Sequence, residues 1–335
     1  MLTDTRAVLR VAVAPYENAS LGHGISQVIT SIGLYLATIA AMYWSFHISY
    51  WLTLALALPA SGFLVRTFIV QHDCGHGSFF KSASANNMVG MLCSVLTLAP
   101  YWSWRRQQSQ HHANWNNLDR RESGADIYST CLTVEEYAAR SAWRRLLYRI
   151  PRHPVLAHIL FPPLIFAILY RFPFDMPKSW VAERRSVVLT NLAILFWVLL
   201  LGLTFSFRAV LLIHLPVVVI TTVAGVWLFS VQHRFETTHW LRKQNWTLHE
   251  ASLKGTSYLK LPRLLQWMTG NIGFHHIHHL APRVPNYHLE ACYASNPLLR
   301  EETPQTLKSG FRATRLILWD ETRQQLVSFR DARVK

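Results

Sequence analysis

Four apolar stretches, at about 26–46, 50–70, 187–207 and 209–230, limit what this 335-residue chain can become more than any other feature. Each approaches the ~20 residues that an α-helix needs to cross a hydrocarbon core. They imply an all-α integral membrane protein with four transmembrane helices. Charged residues are scarce and tryptophan is abundant, as suits a polytopic protein with interfacial aromatics. The formal net charge of +15 asks for an anionic partner. With no nucleic-acid motif and so much apolar sequence, a membrane surface fits better than nucleic acid.

Two further apolar runs fall short of a span. Residues 88–100 are too few to cross and are expected to form a re-entrant or interfacial helix. The run 155–171 carries His158, Pro162 and Pro163. If it crossed, the histidine clusters described below would be divided between the two faces of the membrane, so it is expected not to cross. Lysine and arginine crowd the segment from Arg105 to Arg185 and the C-terminal region, whereas the links near His47 and Arg208 carry almost none. The positive-inside rule then puts both termini and the histidines in the cytoplasm. Residues 1–25 read as a polar lead without a signal peptide, 26–295 as one membrane domain with a cytosolic helical cap, and 296–335 as a polar tail. Cys74, Cys93, Cys131 and Cys292 are far apart and form no CxxC pair, which suggests reduced thiols.

The chemistry is carried by histidine. Four fall within residues 275–279, and His275, His278 and His279 stand at i, i+3 and i+4, a spacing that brings imidazoles to one face of a helix. Such a run alone could be a loose surface metal tract. Two more clusters lie upstream, the i, i+4 pair His72 and His76 and the adjacent pair His111 and His112. Imidazole suits iron, zinc and copper. His276 is expected to face away from its neighbours. His239 and His288 are expected to be structural or supporting, and His23, His47, His153, His158, His214 and His249 to lie outside the chemistry.

The three clusters, their order and the apolar segments between them resemble the membrane fatty acid desaturase family, whose boxes read HxxxH, HxxHH and HxxHH. The resemblance covers roughly His72 to His288. His72 and His76 match the first box, and His275, His278 and His279 the third. The stretch Val231–Glu236 resembles the place where the family supplies one more ligand, here His233. The second box departs: its first histidine aligns with Gln108, in Gln108-Ser109-Gln110-His111-His112. The resemblance implies a histidine-rich dimetal site of two non-haem irons that uses O2. It also implies an acyl chain of a membrane lipid as substrate and a separate electron donor of ferredoxin or cytochrome type, since no haem or flavin motif is fused to the chain. The implied ligands are His72, His76, His111, His112, His233, His275, His278 and His279, with Gln108 a possible ninth.

Desaturation takes two hydrogens from neighbouring CH2 groups. Those C–H bonds have no acidity, so acid–base side chains cannot do it and a metal must. A carboxylate dimetal site needs paired Glu-x-x-His motifs, and only Glu236-Thr237-Thr238-His239 is present. Structural zinc needs only four ligands. Glu236, Asp73, Asn271 and Asp119 are candidates to support the ligands, because metal-bound histidines usually donate their second N–H. A surface ion pair is the alternative role of Asp119, and Arg66 is expected to snorkel or pair at the interface. Two rival functions stand beside the desaturase: a histidine-box lipid hydroxylase or carotenoid ketolase, and a membrane metal transporter, for which His214 and Asn191 offer few mid-span polar groups.

Overall fold

The structure, a computed structural model, describes residues 2–123, 128–300 and 304–332. Helix α1 (Leu2–Val13) leads to α2 (Leu21–Phe46), whose first turn is capped by the Ser20 hydroxyl accepting from the His23 amide. A short link returns the chain through α3 (Tyr50–His76). Gly77 ends α3 in the left-handed region (φ +71°), a conformation that a Cβ opposes. Helix α4 (Ala83–Thr97) runs back along α3 and stops at Leu98. There Gln71 Nε2 donates to Ala99 O (2.9 Å) and Thr97 Oγ1 donates to Gln71 Oε1 (2.6 Å). Helix α5 (Tyr101–Asn114) then carries the second histidine pair.

After α6 (Ala142–Arg149) the chain bends by 47° into the apolar segment 156–171, of which only α7 (Phe161–Ala167) is α-helical beyond one wide turn. Arg171 closes this segment by donating to Asn191 Oδ1 (2.9 Å) and to Leu98 O. It thus joins the end of this segment to the end of α4. Helix α8 (Val181–Thr204) starts back beside α5, where Arg106 meets Glu183 at 2.8 Å and Ser186 Oγ accepts from the Trp102 amide. The segment 156–171 is thus tied at its end to α4 and α8, and with its bent approach it is either a broken span or a re-entrant turn. Helix α9 (Phe207–His233) brings the chain back to the histidines.

Among the described residues, four helices (α2, α3, α8 and α9) are long and apolar enough to cross a membrane. The last turns of α3 and α9 outrun the apolar stretches and carry His72, His76 and His233 beyond them. Tyr35, Ile39 and Met42 of α2 pack against Ala57, Ala60 and Leu64 of α3 and against Ile213 and Val217 of α9. Small residues let α3 and α9 approach until Ser61 Oγ reaches Val217 O (3.3 Å) and Thr221 Oγ1 reaches Ser61 O (3.4 Å). The outward faces keep Leu192, Phe196, Leu199, Leu203 and Leu215 exposed, an apolar belt suited to lipid.

The cap is not wholly helical, and the C-terminal residues are not a loose tail. Three short strands form a sheet: β1 (Leu132–Thr133) pairs in parallel with β2 (Leu318–Asp320), which pairs antiparallel with β3 (Gln325–Val327). Trp319 on β2 is fully buried. Strands of two or three residues carry no periodic signal, so the sequence reads there as polar tail. Two helices complete the histidine side, α10 (His275–Leu280) and α11 (Asn286–Ser295).

Candidate metal centre

Four helices that are remote in sequence bring eight imidazoles together. His72, His76, His112 and His278 form one set, and a ligand atom from each lies within 4.8 Å of all the others. His111, His233 and His279 form a second set on the same criterion. His275 joins it, with its Nε2 3.2 Å from His233 Nε2. The second and third histidine clusters are thereby divided, while His72 and His76 stay together. On α5, His111 and His112 are one residue and about 100° apart, so they point into different sets. On α10, His278 turns to the first set while His275 and His279 turn to the second. The junction is the stacked pair His112 and His279, whose ring centroids are 4.1 Å apart.

Within the sets, Nε2 atoms face one another: His112 to His278 at 3.1 Å, His111 to His233 at 2.9 Å and His233 to His279 at 3.1 Å. Burial and the neighbouring imidazoles hold His112, His275, His278 and His279 well below the usual histidine range, so they are neutral. A neutral imidazole offers only one N–H, and His76 Nε2 is buried with no hydrogen-bond partner. Converging lone pairs of this kind suit a cation, and neutral imidazole is the ligating form. The residues therefore fit transition-metal ions, four nitrogens to a set.

The outer nitrogens are oriented from behind. His233 Nδ1 lies 2.7 Å from Phe229 O, one turn back on α9. His72 Nδ1 lies 2.9 Å from Asp73 Oδ1. Asp73 Oδ2 accepts from the Asn286 amide (2.6 Å) and from Asn286 Nδ2 (2.8 Å), and Asn286 Oδ1 accepts from Gln27 Nε2 of α2 (2.9 Å). Asn271 sits in a left-handed turn (φ +58°) ahead of α10 and donates to Asn286 O at 3.3 Å. Asn286 and Gln27 were invisible as site residues, because their partners are more than 200 positions away.

The remaining candidates are placed as follows. Gln108 stands one turn before His112, and its amide end lies 3.1 Å from His112 Nε2 and 3.5 Å from His72 Nε2. The two ends of an amide are interchangeable by a half-turn, so either its oxygen or its nitrogen faces the first set. Glu236 is exposed in the loop after α9. Asp119 meets Arg242 at 3.0 Å and accepts from the Lys243 amide, in a partly exposed ion pair. His276 faces away, with its Nε2 3.0 Å from Leu299 O. Arg66 is buried over the Trp267 ring and donates to Trp267 O.

Beside both sets lies a cavity of about 730 Å³, within the usual range for small-molecule sites. His72, His111 and His275 border it, and Val65, Phe68, Phe166, Leu169, Val226 and Phe229 give it apolar walls. Its shape was not legible in the sequence, since it forms between α3, α9 and the segment 156–171.

The sequence model of a family described as fatty acid desaturase matches residues 35–308. A fatty acid desaturase of Bacillus subtilis is 42% identical over 318 residues, covering 95% of this chain and 89% of its own. An sn-1 acyl-lipid omega-3 desaturase (ferredoxin) of Synechocystis is 30% identical over 301 residues, covering 84% of this chain and 76% of its own. An sn-1 oleoyl-lipid 12-desaturase of the same organism is 28% identical over 265 residues, covering 72% and 68%.

Proposed function

The chain belongs to the fatty acid desaturase family, and from that premise we propose that it is an O2-dependent oxidoreductase that puts a double bond into an acyl chain of a membrane lipid. The observation that carries this reading is the pair of four-histidine sets beside an apolar cavity. His72, His76, His112 and His278 would hold one iron, and His111, His233, His275 and His279 the other. Iron bound there would supply the O2-activating redox chemistry that unactivated CH2 groups require.

The protein's own part is to bind, orient and keep dry. The cavity walls take the acyl chain out of water, and His72, His111 and His275 border the stretch to be oxidised. Asp73 and Phe229 O fix the tautomers of His72 and His233, so that each Nε2 lone pair points inward. Reduction of O2 to two waters takes four electrons. Two come from the C–H bonds and two from a separate donor, and a ferredoxin-type protein fits the basic cap. Lysine and arginine favour a cytoplasmic cap, with both termini on that side.

Gln108 serves the first set as a ninth, weaker donor or as a hydrogen-bond partner of His112. Gln108→His is expected to keep the iron content and the activity, by metal analysis and product assay. A drop in either would mean that the amide is needed as it is.

The cavity also sets a length. Gly225 lines it, and a β-carbon there would have no atom within 4 Å. His233 is eight residues further along α9, about 12 Å by helical rise. That is room for roughly ten carbons at the reach of an extended chain. Below, α3 and α9 close over Ser61 and Thr221. Gly225→Leu is expected to shift the substrate preference toward shorter acyl chains, by about 10-fold or more against the original one. Chain-length analysis of the products by gas chromatography checks this; an unchanged profile would mean that the acyl tail lies elsewhere.

The function itself is tested by expression in a host lacking polyunsaturated lipids, followed by gas chromatography–mass spectrometry and iron analysis. A new double bond with bound iron supports the proposal. A hydroxylated or ketone product in its place would overturn it.

A further inference from the structure

Helix α6 presents its apolar side outward. Trp143, Leu146, Leu147 and Ile150 stand at i, i+3, i+4 and i+7, and are 65%, 45%, 51% and 45% exposed. That spacing makes one stripe along the helix. The opposite side is the one packed on the cap. Tyr148 is buried there, its hydroxyl accepts from the Leu132 amide (2.9 Å), and its ring lies against Tyr137 and Phe329. A soluble helix would be turned the other way round.

Arginines flank the stripe. Arg144, Arg145 and Arg149 lie on α6 and Arg140 just ahead of it, with no acidic residue in the helix. Arg140 and Arg152 lie over the Tyr148 ring and Arg149 over the Phe329 ring, so their guanidinium groups sit on the rim between the stripe and the cap. The stripe does not end with α6. Val155, Ile159, Leu160, Leu164 and Ile168 continue it as exposed apolar residues on the segment that follows, beyond the 47° bend. That segment turns its other side, Ile165, Phe166, Leu169 and Tyr170, into the cavity.

We propose that α6 lies in the surface of the bilayer, its stripe among the upper acyl chains and its arginines on anionic lipid headgroups. Three observations agree on this occupant: the outward apolar stripe, its continuity with the lipid-facing belt, and the one-signed charge along its edges. A second copy or a redox protein would match the apolar stripe but not its continuation into the apolar segment beyond the bend. The consequence reaches the site, since α6 is joined through the bend to the segment that walls the cavity. Anionic lipid would seat that wall. The inference rests on the membrane reading of the chain but not on the reaction.

The test uses the full chain carrying Leu147→Cys, labelled with an environment-sensitive fluorophore; the native cysteines are all buried. The labelled protein is placed in nanodiscs of phosphatidylcholine, with and without phosphatidylglycerol. Spin-labelled lipid is expected to quench the fluorophore while aqueous iodide does not. Phosphatidylglycerol is expected to increase the lipid quenching, and Arg144→Gln with Arg145→Gln and Arg149→Gln to remove that increase. Iodide quenching without lipid quenching would overturn the proposal. So would shielding from both quenchers that grows with protein concentration, the mark of a second copy. Lipid quenching indifferent to phosphatidylglycerol would overturn the role of the arginines. None of these readings involves turnover, so a failure here and a failure of the desaturase proposal can be told apart.

Discussion

Replacing His278 with alanine is expected to abolish double-bond formation and to lower the bound iron from two toward one per chain. His278 is the centre of its set, with ring centroids 4.4, 4.9 and 4.8 Å from those of His72, His76 and His112. Residues that only support a ligand cost 10–100-fold in metal affinity or activity when removed, so a ligand itself should cost more than about 100-fold. The other set keeps all four of its imidazoles, and one ion should remain there. The chain should still fold, because the substitution leaves a void and no unpaired charge. Metal analysis and product analysis on one preparation decide the matter. Full iron with full product would sink the assignment of His278, whereas loss of both ions would mean that the sets do not fill independently.

The second large effect is expected at Asp73, which touches no cation itself. Asp73→Ala removes the acceptor of His72 Nδ1 and strands two donors of Asn286, its backbone amide and Nδ2. Each stranded buried donor costs about 1–3 kcal/mol. The loss of His72 orientation is expected to lower metal affinity by about 10–100-fold. Competition with a chelator reads the affinity, and thermal unfolding in detergent reads the stability. Asp73→Asn keeps an acceptor and should recover part of both. If affinity fell as far in Asp73→Asn as in Asp73→Ala, charge rather than orientation would be what Asp73 contributes.

Much of this site was legible because histidine spacing along a helix is a local property. The pairs at i, i+4 and i, i+1 and the spans before them locate the elements that converge. What stayed hidden was how the imidazoles divide between two sets. That division depends on the rotation of α5 and α10 about their own axes, which their neighbours set. The Asp73–Asn286–Gln27 chain was out of reach for the same reason, since it joins α2, α3 and α11 through space. Glu236 was favoured for its closeness to His233 in sequence, but the helix ends at His233 and the loop turns Glu236 outward. In the fold, the apolar runs marked four candidate spans because lipid demands length, whereas three strands of two or three residues leave no pattern to read.

The parallel pairing of β1 with β2 has a consequence for how the molecule is made. Leu132 and Thr133 are translated before two of the four candidate spans, and their partners Leu318 and Trp319 only after both of them. The same later segment supplies Glu321, which holds Arg242, and Gln305, whose amide donates to Tyr258 O. The spans are thus all made before the last part of the cap above the histidines can close. Closure waits for the segment from Gln305 to Trp319, so the order of synthesis leaves an interval in which all four candidate spans have been made while the cap is still open.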